Sequence, residues 1–112
     1  MNIGVRTIGD VKVLDWSGKI TLGEGTMNLR NAVRDLAQRG EKKIILNLAG
    51  VTYIDSSGVG ELVSAYTTVT NLGGKLKLVN LTGKIRELLT ITKLLTVFDV
   101  YDNEKAAVES LK

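Results

Sequence analysis

The stretch Val51–Leu62, VTYIDSSGVGEL, sets three polar residues in a row, Asp55, Ser56 and Ser57, between two apolar runs and follows them with Gly58 and Gly60. One Asp or Ser is enough to start a helix, because a single side-chain oxygen can accept from the free N–H groups of the first turn. A cap therefore accounts for one of the three polar residues and for neither glycine, each of which costs a helix interior about 1 kcal/mol relative to Ala. Glycine strips side-chain bulk from the opening turn, so that a ligand or a second surface can approach the backbone. The junction reads as a loop leaving a strand and entering a helix, small, polar and suited to an anion at the helix N-terminus.

Working outward, "KKIILNL" (Lys42–Leu48) is nearly continuous in apolar residues, the pattern of a strand buried on both faces in a parallel sheet. Behind the loop, Val59, Leu62, Val63, Tyr66 and Val69 form a helical stripe that Gly73 and Gly74 stop. Upstream, Ile3–Ile8 and Val11–Trp16 flank Gly9-Asp10 and read as a hairpin. After "KITLGEGT" a helix carries Leu29, Val33 and Leu36, with Thr26 expected as N-cap and Gly40 just past its end. Downstream, "KLKLVNL" (Lys75–Leu81) is a strand and Thr82 starts a short helix with Ile85, Leu88 and Leu89. "LTVFDVY" (Leu95–Tyr101) is expected as an edge strand, and Asp102 as the cap of a last helix through Ala107, Val108 and Leu111. The order β, β, α, β, α, β, α, β, α predicts one α/β domain over residues 1–112: a mixed, mostly parallel sheet with an N-terminal antiparallel hairpin and about four helices on its faces.

Composition narrows the chemistry. The 112 residues are 44% hydrophobic and 24% charged, a globular balance. Cys and His are both absent, which removes disulfides, thiolate metal sites and a Ser-His-Asp triad; no metal or cofactor is expected. Net charge is +3 and aromatic content 4%, with Lys and Arg scattered, so no nucleic-acid stripe is expected. The absence of a signal-peptide pattern and of a long apolar run makes a cytoplasmic protein without a membrane span the expectation. The loop lacks the Gly-x-x-x-x-Gly-Lys-Ser/Thr spacing of a nucleotide-gripping loop and has no local Lys or Arg. Without a His base, Ser56 or Ser57 is a poor hydrolytic nucleophile. A serine that receives a phosphate needs none of these parts, because the kinase supplies them, so an enzyme is not the expectation.

"NLAGVTYIDSSGVGEL" after "KKIIL", with "SGKI" (Ser17–Ile20) upstream and "GGKLKLVNL" (Gly73–Leu81) downstream, resembles the STAS domain of bacterial anti-sigma factor antagonists over essentially the whole chain. Its most specific piece is Asp55-Ser56-Ser57-Gly58. The resemblance implies that Ser57 is a phosphoacceptor and that the kinase is the anti-sigma factor itself, an ATP-dependent serine kinase of the histidine-kinase-like ATPase type. It implies further that the unphosphorylated antagonist binds this partner, the phosphorylated form releases it, and a phosphatase resets the cycle. Many of these antagonists carry an Asp shortly after the end of the second strand, where "GKIT" here has Thr21, so a flanking carboxylate is replaced by a hydroxyl.

The expected site is thus Ser57 at the exposed start of the helix, Asp55 capping, Ser56 satisfying backbone groups, Gly58 and Gly60 admitting a partner, and Thr21 alongside. Asn80, Thr82 and Gly83 are expected at its rim. Lys84, Arg86 and Lys93 read as a solvated face, and Trp16 as core packing. A partner-switching monomer or weak dimer is the leading reading. The alternatives are a scaffold or accessory subunit of a larger sensory or lipid-transport assembly, and a weak nucleotide binder.

Overall fold

The computed structural model describes residues 2–112. The elements follow as β1 (Asn2–Ile8), β2 (Val11–Ile20), α1 (Glu24–Gln38), β3 (Lys43–Ile54), α2 (Ser56–Asn71), β4 (Lys75–Val79), α3 (Gly83–Ile91), β5 (Asp99–Tyr101) and α4 (Glu104–Ser110). The strands lie side by side in the order β1-β2-β3-β4-β5, with β1 antiparallel to β2 and the rest parallel. A mixed sheet with an antiparallel N-terminal hairpin and four helices is the expected α/β class. The hairpin closes through Gly9, whose φ of +59° is the left-handed conformation a two-residue turn requires.

Because β2 to β5 advance in one direction, right-handed crossovers put every connecting helix on the same face. That face holds the main core: Leu14, Trp16, Ile20, Ile44, Leu46 and Leu48 from the sheet pack against Leu29 and Val33 of α1, Leu62 and Val69 of α2, and Ile85 and Leu89 of α3. The opposite face carries a smaller core in which Val11, Val13, Ile45 and Val79 meet Ala107 of α4 and Leu111 just past its end. Trp16 is buried in the main core, as its sequence context implied.

Several boundaries differ from the sequence reading. Strand β2 continues past Trp16 to Ile20 and β3 past Leu48 to Ile54, because the two keep pairing across register shifts at Asp15/Ser17 and Gly18/Lys19. Gly50 makes this continuation feasible: a Cβ there would lie 2.5 Å from the Trp16 carbonyl oxygen. Helix α1 starts at Glu24 with Gly23 as N-cap, and Thr26 sits inside the first turn, its hydroxyl donating to the Gly23 carbonyl at 3.2 Å. Helix α4 is capped by Asn103, which accepts from the Ala106 N–H at 2.8 Å, rather than by Asp102. The expected edge strand Leu95–Tyr101 shrinks to Asp99–Tyr101, while Phe98 turns inward to meet Tyr66 edge-on at 5.6 Å. Gly40, with φ +85°, does terminate α1, and Thr82 does cap α3, accepting from the Ile85 N–H at 3.3 Å.

Candidate functional site

Parallel β2 and β3 end together at Ile20 and Ile54, so the loops leaving them open on the same edge of the sheet. Asp55 ties the two together. Its N–H donates to the Ile20 carbonyl at 3.4 Å, and one carboxylate oxygen accepts from the Leu22 N–H at 3.2 Å. The other accepts from the Gly58 N–H at 2.8 Å, which makes Asp55 the N-cap of α2. Asp55 is therefore a cap and also the pin that fixes the β2–α1 loop against the start of α2.

These donors, the Gly58 N–H foremost, hold the Asp55 carboxyl below its usual range. A depressed folded-state pKa stabilises the fold above the unfolded value, near 3.9. That contribution disappears as pH falls through the lower folded value. In urea unfolding titrations from pH 7 to 2, the parent should lose part of its stability below about pH 4, and Asp55→Asn, which caps without charge, should lose less. Equal acid sensitivity of the two proteins would contradict this role.

The same geometry revises the expected anion site. Asp55 already takes the Gly58 N–H and sets its own carboxylate at the start of α2. An added anion there meets negative charge and must find a cation elsewhere.

Ser56 is exposed, and among the described residues its hydroxyl makes no hydrogen bond, so it does not satisfy backbone groups as expected. Ser57 is half-buried, and its hydroxyl likewise has no partner among the described residues. The two glycines separate. Gly58 is buried, and a Cβ on it would collide with the Ile20 carbonyl oxygen and lie 2.6 Å from Ile54 Cγ1. It is glycine because the end of β2 passes against it, and it supports the site from within rather than admitting a visitor. Gly60 is exposed with nothing within 4 Å of a built Cβ, which fits an opening toward an outside surface.

Thr21 is half-buried beside this loop; its carbonyl accepts from the Thr26 N–H at 3.1 Å, and it shares a shallow depression with Lys19, Glu24 and Thr52. Of the rim residues, Thr82 and exposed Gly83 open α3, and the next residue, Lys84, reaches over the Tyr53 ring at 5.1 Å. Lys84 is thus engaged with the end of β3 rather than merely solvated. Arg86 lies 3.7 Å from Asp102, and Lys93 adopts φ +61° just past the end of α3. Asn80 is turned elsewhere. It donates to Asn47 at 3.1 Å, and Asn47 to Asp15 at 2.8 Å, on the face that carries α4.

Several large apolar side chains remain in solvent: Leu22, in the loop pinned to Asp55, is 77% exposed and Tyr53, near the end of β3, 43%, while Met27 of α1 is 57% and Ile91, the last residue of α3, 68%. Tyr53 and Ile91 line one shallow groove with Lys84 and Leu88. Such clustering, as opposed to scattered single residues, marks a contact surface. Sequence reasoning missed it because Leu22, Tyr53 and Ile91 come from three separate places in the chain, the β2–α1 loop, the end of β3 and the end of α3. It also missed Glu61, which is only 6% exposed and pairs with Arg30 of α1 through two hydrogen bonds, at 3.1 and 3.0 Å. The signal was present: Glu61 falls between Gly58, Leu62 and Ala65 on the inward sector of α2.

Among the described residues no cluster of Asp and Glu could hold a metal ion, and no helix is long and apolar enough to cross a membrane.

A family model for the STAS domain matches residues 2–107. The anti-sigma-B factor antagonist of Bacillus subtilis is 35% identical over 112 residues, covering 97% of this chain and all of that protein. The solved Thermotoga maritima protein TM1081 superposes with a TM-score of 0.90 at 26% identity, over 97% of this chain and 93% of that one. The Bacillus cell fate determinant SpoIIAA in its phosphorylated form shares the fold, with a TM-score of 0.76 at 18% identity over 99% and 100% of the two chains. The chain belongs to the STAS domain family, the family of the anti-sigma factor antagonists.

Proposed function

We propose that this protein is an anti-sigma factor antagonist working as a phosphorylation-controlled partner switch, a binding protein and not an enzyme. The unphosphorylated form docks an anti-sigma factor kinase on the edge formed by the β2–α1 loop, the start of α2 and the Tyr53–Ile91 groove. Ser57 is the phosphoacceptor. The Ser57 hydroxyl oxygen bonds to the γ-phosphorus of ATP as the bond to the β-phosphate oxygen breaks. ADP leaves, and the hydroxyl proton passes to a base of the kinase. A phosphatase reverses the modification by hydrolysis. The observation that carries this reading is a half-buried serine hydroxyl without a partner among the described residues, at the start of α2 on the sheet edge where exposed Leu22 and Tyr53 form an apolar rim.

Such a hydroxyl is accessible to a kinase, and such a rim is what a partner covers. The modification acts at the interface. Phosphate adds about −1.5 to −2 charges and three acceptor oxygens, and closing a partner over that dianion means desolvating it. The relatives support the reading: the B. subtilis protein is named for antagonising an anti-sigma factor, and SpoIIAA has this fold in both its phosphorylated and unphosphorylated forms. The domain is proposed to act in the cytoplasm as a monomer or weak dimer.

The test is phosphate transfer. Incubated with ATP labelled in its γ-phosphate and the histidine-kinase-like ATPases of the source organism, the parent should take up one phosphate per chain. Ser56→Ala should behave like the parent and Ser57→Ala should take up none. Undiminished labelling of Ser57→Ala would reject the site.

A further inference from the structure

The modification proposed for Ser57 leaves one question open: what balances the added charge inside the domain. At the start of α2 the Gly58 N–H is already committed to the Asp55 carboxylate, so a full balance needs a side-chain cation. Helices α1 and α2 run side by side and in the same direction, since both follow adjacent parallel strands. On α2, Ser57, Glu61 and Thr68 share one stripe, and the last two line a narrow cleft against Arg30 and Arg34 of α1. Arg30 grips Glu61 through both Nε and a terminal nitrogen. The Arg30 side chain is 52% exposed and that of Glu61 only 7%, so Arg30 is free to pivot while Glu61 is held in place.

Side chains on a helix lean toward its N-terminus. Ser57 stands four residues before Glu61 on the same stripe of α2, so the guanidinium that pairs with Glu61 is held on the side of α2 that carries Ser57. A phosphate on Ser57 would stand one turn from Glu61, a like-charge pair that destabilises a helix, and two residues from the Asp55 carboxylate. Arg30 is the cation that the helix register places on that side.

We propose that Arg30 is the internal counter-ion of phosphorylated Ser57: on modification its planar fork moves from Glu61 to bridge the phosphate and Glu61, or to the phosphate alone. Guanidinium suits this role because it can offer parallel N–H donors to a phosphate while keeping others for a carboxylate. The consequence is regulatory. Arg30 lets the free domain carry the dianion without loosening α2, and it draws the phosphate into the α1–α2 seam. This inference rests on Ser57 being the modified residue.

The experiment installs phosphoserine at position 57 during synthesis of the full chain, so it needs no kinase and its outcome is independent of whether a kinase uses the site. Chemical unfolding is measured for the parent and for Arg30→Gln, each with serine or phosphoserine at 57, and the cost of the phosphate is compared between backgrounds. In the parent, phosphoserine should lower the folding equilibrium constant about threefold or less; in Arg30→Gln it should lower it about tenfold or more, tenfold being about 1.4 kcal/mol. Glu61→Gln, which frees Arg30 from its carboxylate, should tolerate phosphoserine at least as well as the parent. The Arg30 Nε–H resonance should shift on phosphorylation in both the parent and Glu61→Gln, a readout that a purely packing role would not move. Should Arg30→Gln fail to fold, Arg30→Lys serves in its place, with an intermediate cost. An equal phosphate cost with and without Arg30, or an unmoved Nε–H resonance, overturns the proposal.

Discussion

Gly58→Ala should cost this protein about 3 kcal/mol or more of folding stability, in the upper range for forcing an atom into a close-packed site. The added methyl would drive into the Ile20 carbonyl oxygen and sit 2.6 Å from Ile54 Cγ1. Neither atom can yield cheaply, because the Ile20 carbonyl already accepts the Asp55 N–H and Ile54 is the last residue of a central strand. Gly60→Ala, two residues away, meets nothing within 4 Å and should stabilise the helix by about 0.5–1 kcal/mol on propensity alone. Urea unfolding of the two variants beside the parent reads both effects. Gly58→Ala as stable as the parent would mean that the start of α2 does not pack against β2 as described. The pair also divides structure from function: Gly60→Ala should fold better than the parent while placing a methyl on the face a partner must approach.

The second large effect is on partner binding. Closing a partner over the dianion strips its water, which one internal guanidinium offsets only in part, and a penalty of about 3 kcal/mol already weakens an affinity by more than a hundredfold. Ser57→Ala adds no charge and should bind the anti-sigma factor within about threefold of the parent, less than 1 kcal/mol. Ser57→Asp, with one negative charge on a shorter side chain, should fall between the parent and the phosphorylated protein. On the proposed reading, exposed apolar side chains such as Leu22 and Tyr53 supply the attraction that this charge must overcome, and the switch is a contest between buried apolar area and the cost of desolvating the phosphate.

Much of this was legible before the coordinates. Element order followed from punctuation and periodicity: Gly9 for the hairpin, the continuous apolar run through Ile44–Leu46 for a central strand, and Thr82 and Gly40 for helix ends. These signals are local, set by backbone freedom, side-chain capping and burial on two faces. The errors came where the deciding contact is distant in sequence. The reason for Gly58 is the Ile20 carbonyl, which the chain brings near only after folding a helix and a strand between them. The long ends of β2 and β3 depend on their mutual pairing across bulges, which leaves no trace in either segment alone. Thr26 resembles a cap in isolation, yet the uncommon backbone of Gly23, with φ +105°, starts α1 a turn earlier.

The site was legible in kind and incomplete in composition. Asp55, Ser56 and Ser57 announced a polar helix start because three such residues exceed what a cap requires. That Asp55 consumes the donors an incoming anion would want is a matter of hydrogen-bond geometry that spacing does not encode. Arg30 and Glu61, thirty-one positions apart, become neighbours only through the parallel alignment of α1 and α2.

The central claim is that phosphate on Ser57 is tolerated by the free domain and rejected by the complex. Isothermal titration of a purified anti-sigma factor into the unmodified protein and into the same chain carrying phosphoserine at 57, with circular dichroism showing both folded, measures it directly. The expected result is at least about a hundredfold weaker binding of the phosphorylated chain, about 2.7 kcal/mol, at unchanged helix content; equal affinities for the two folded proteins would contradict the account.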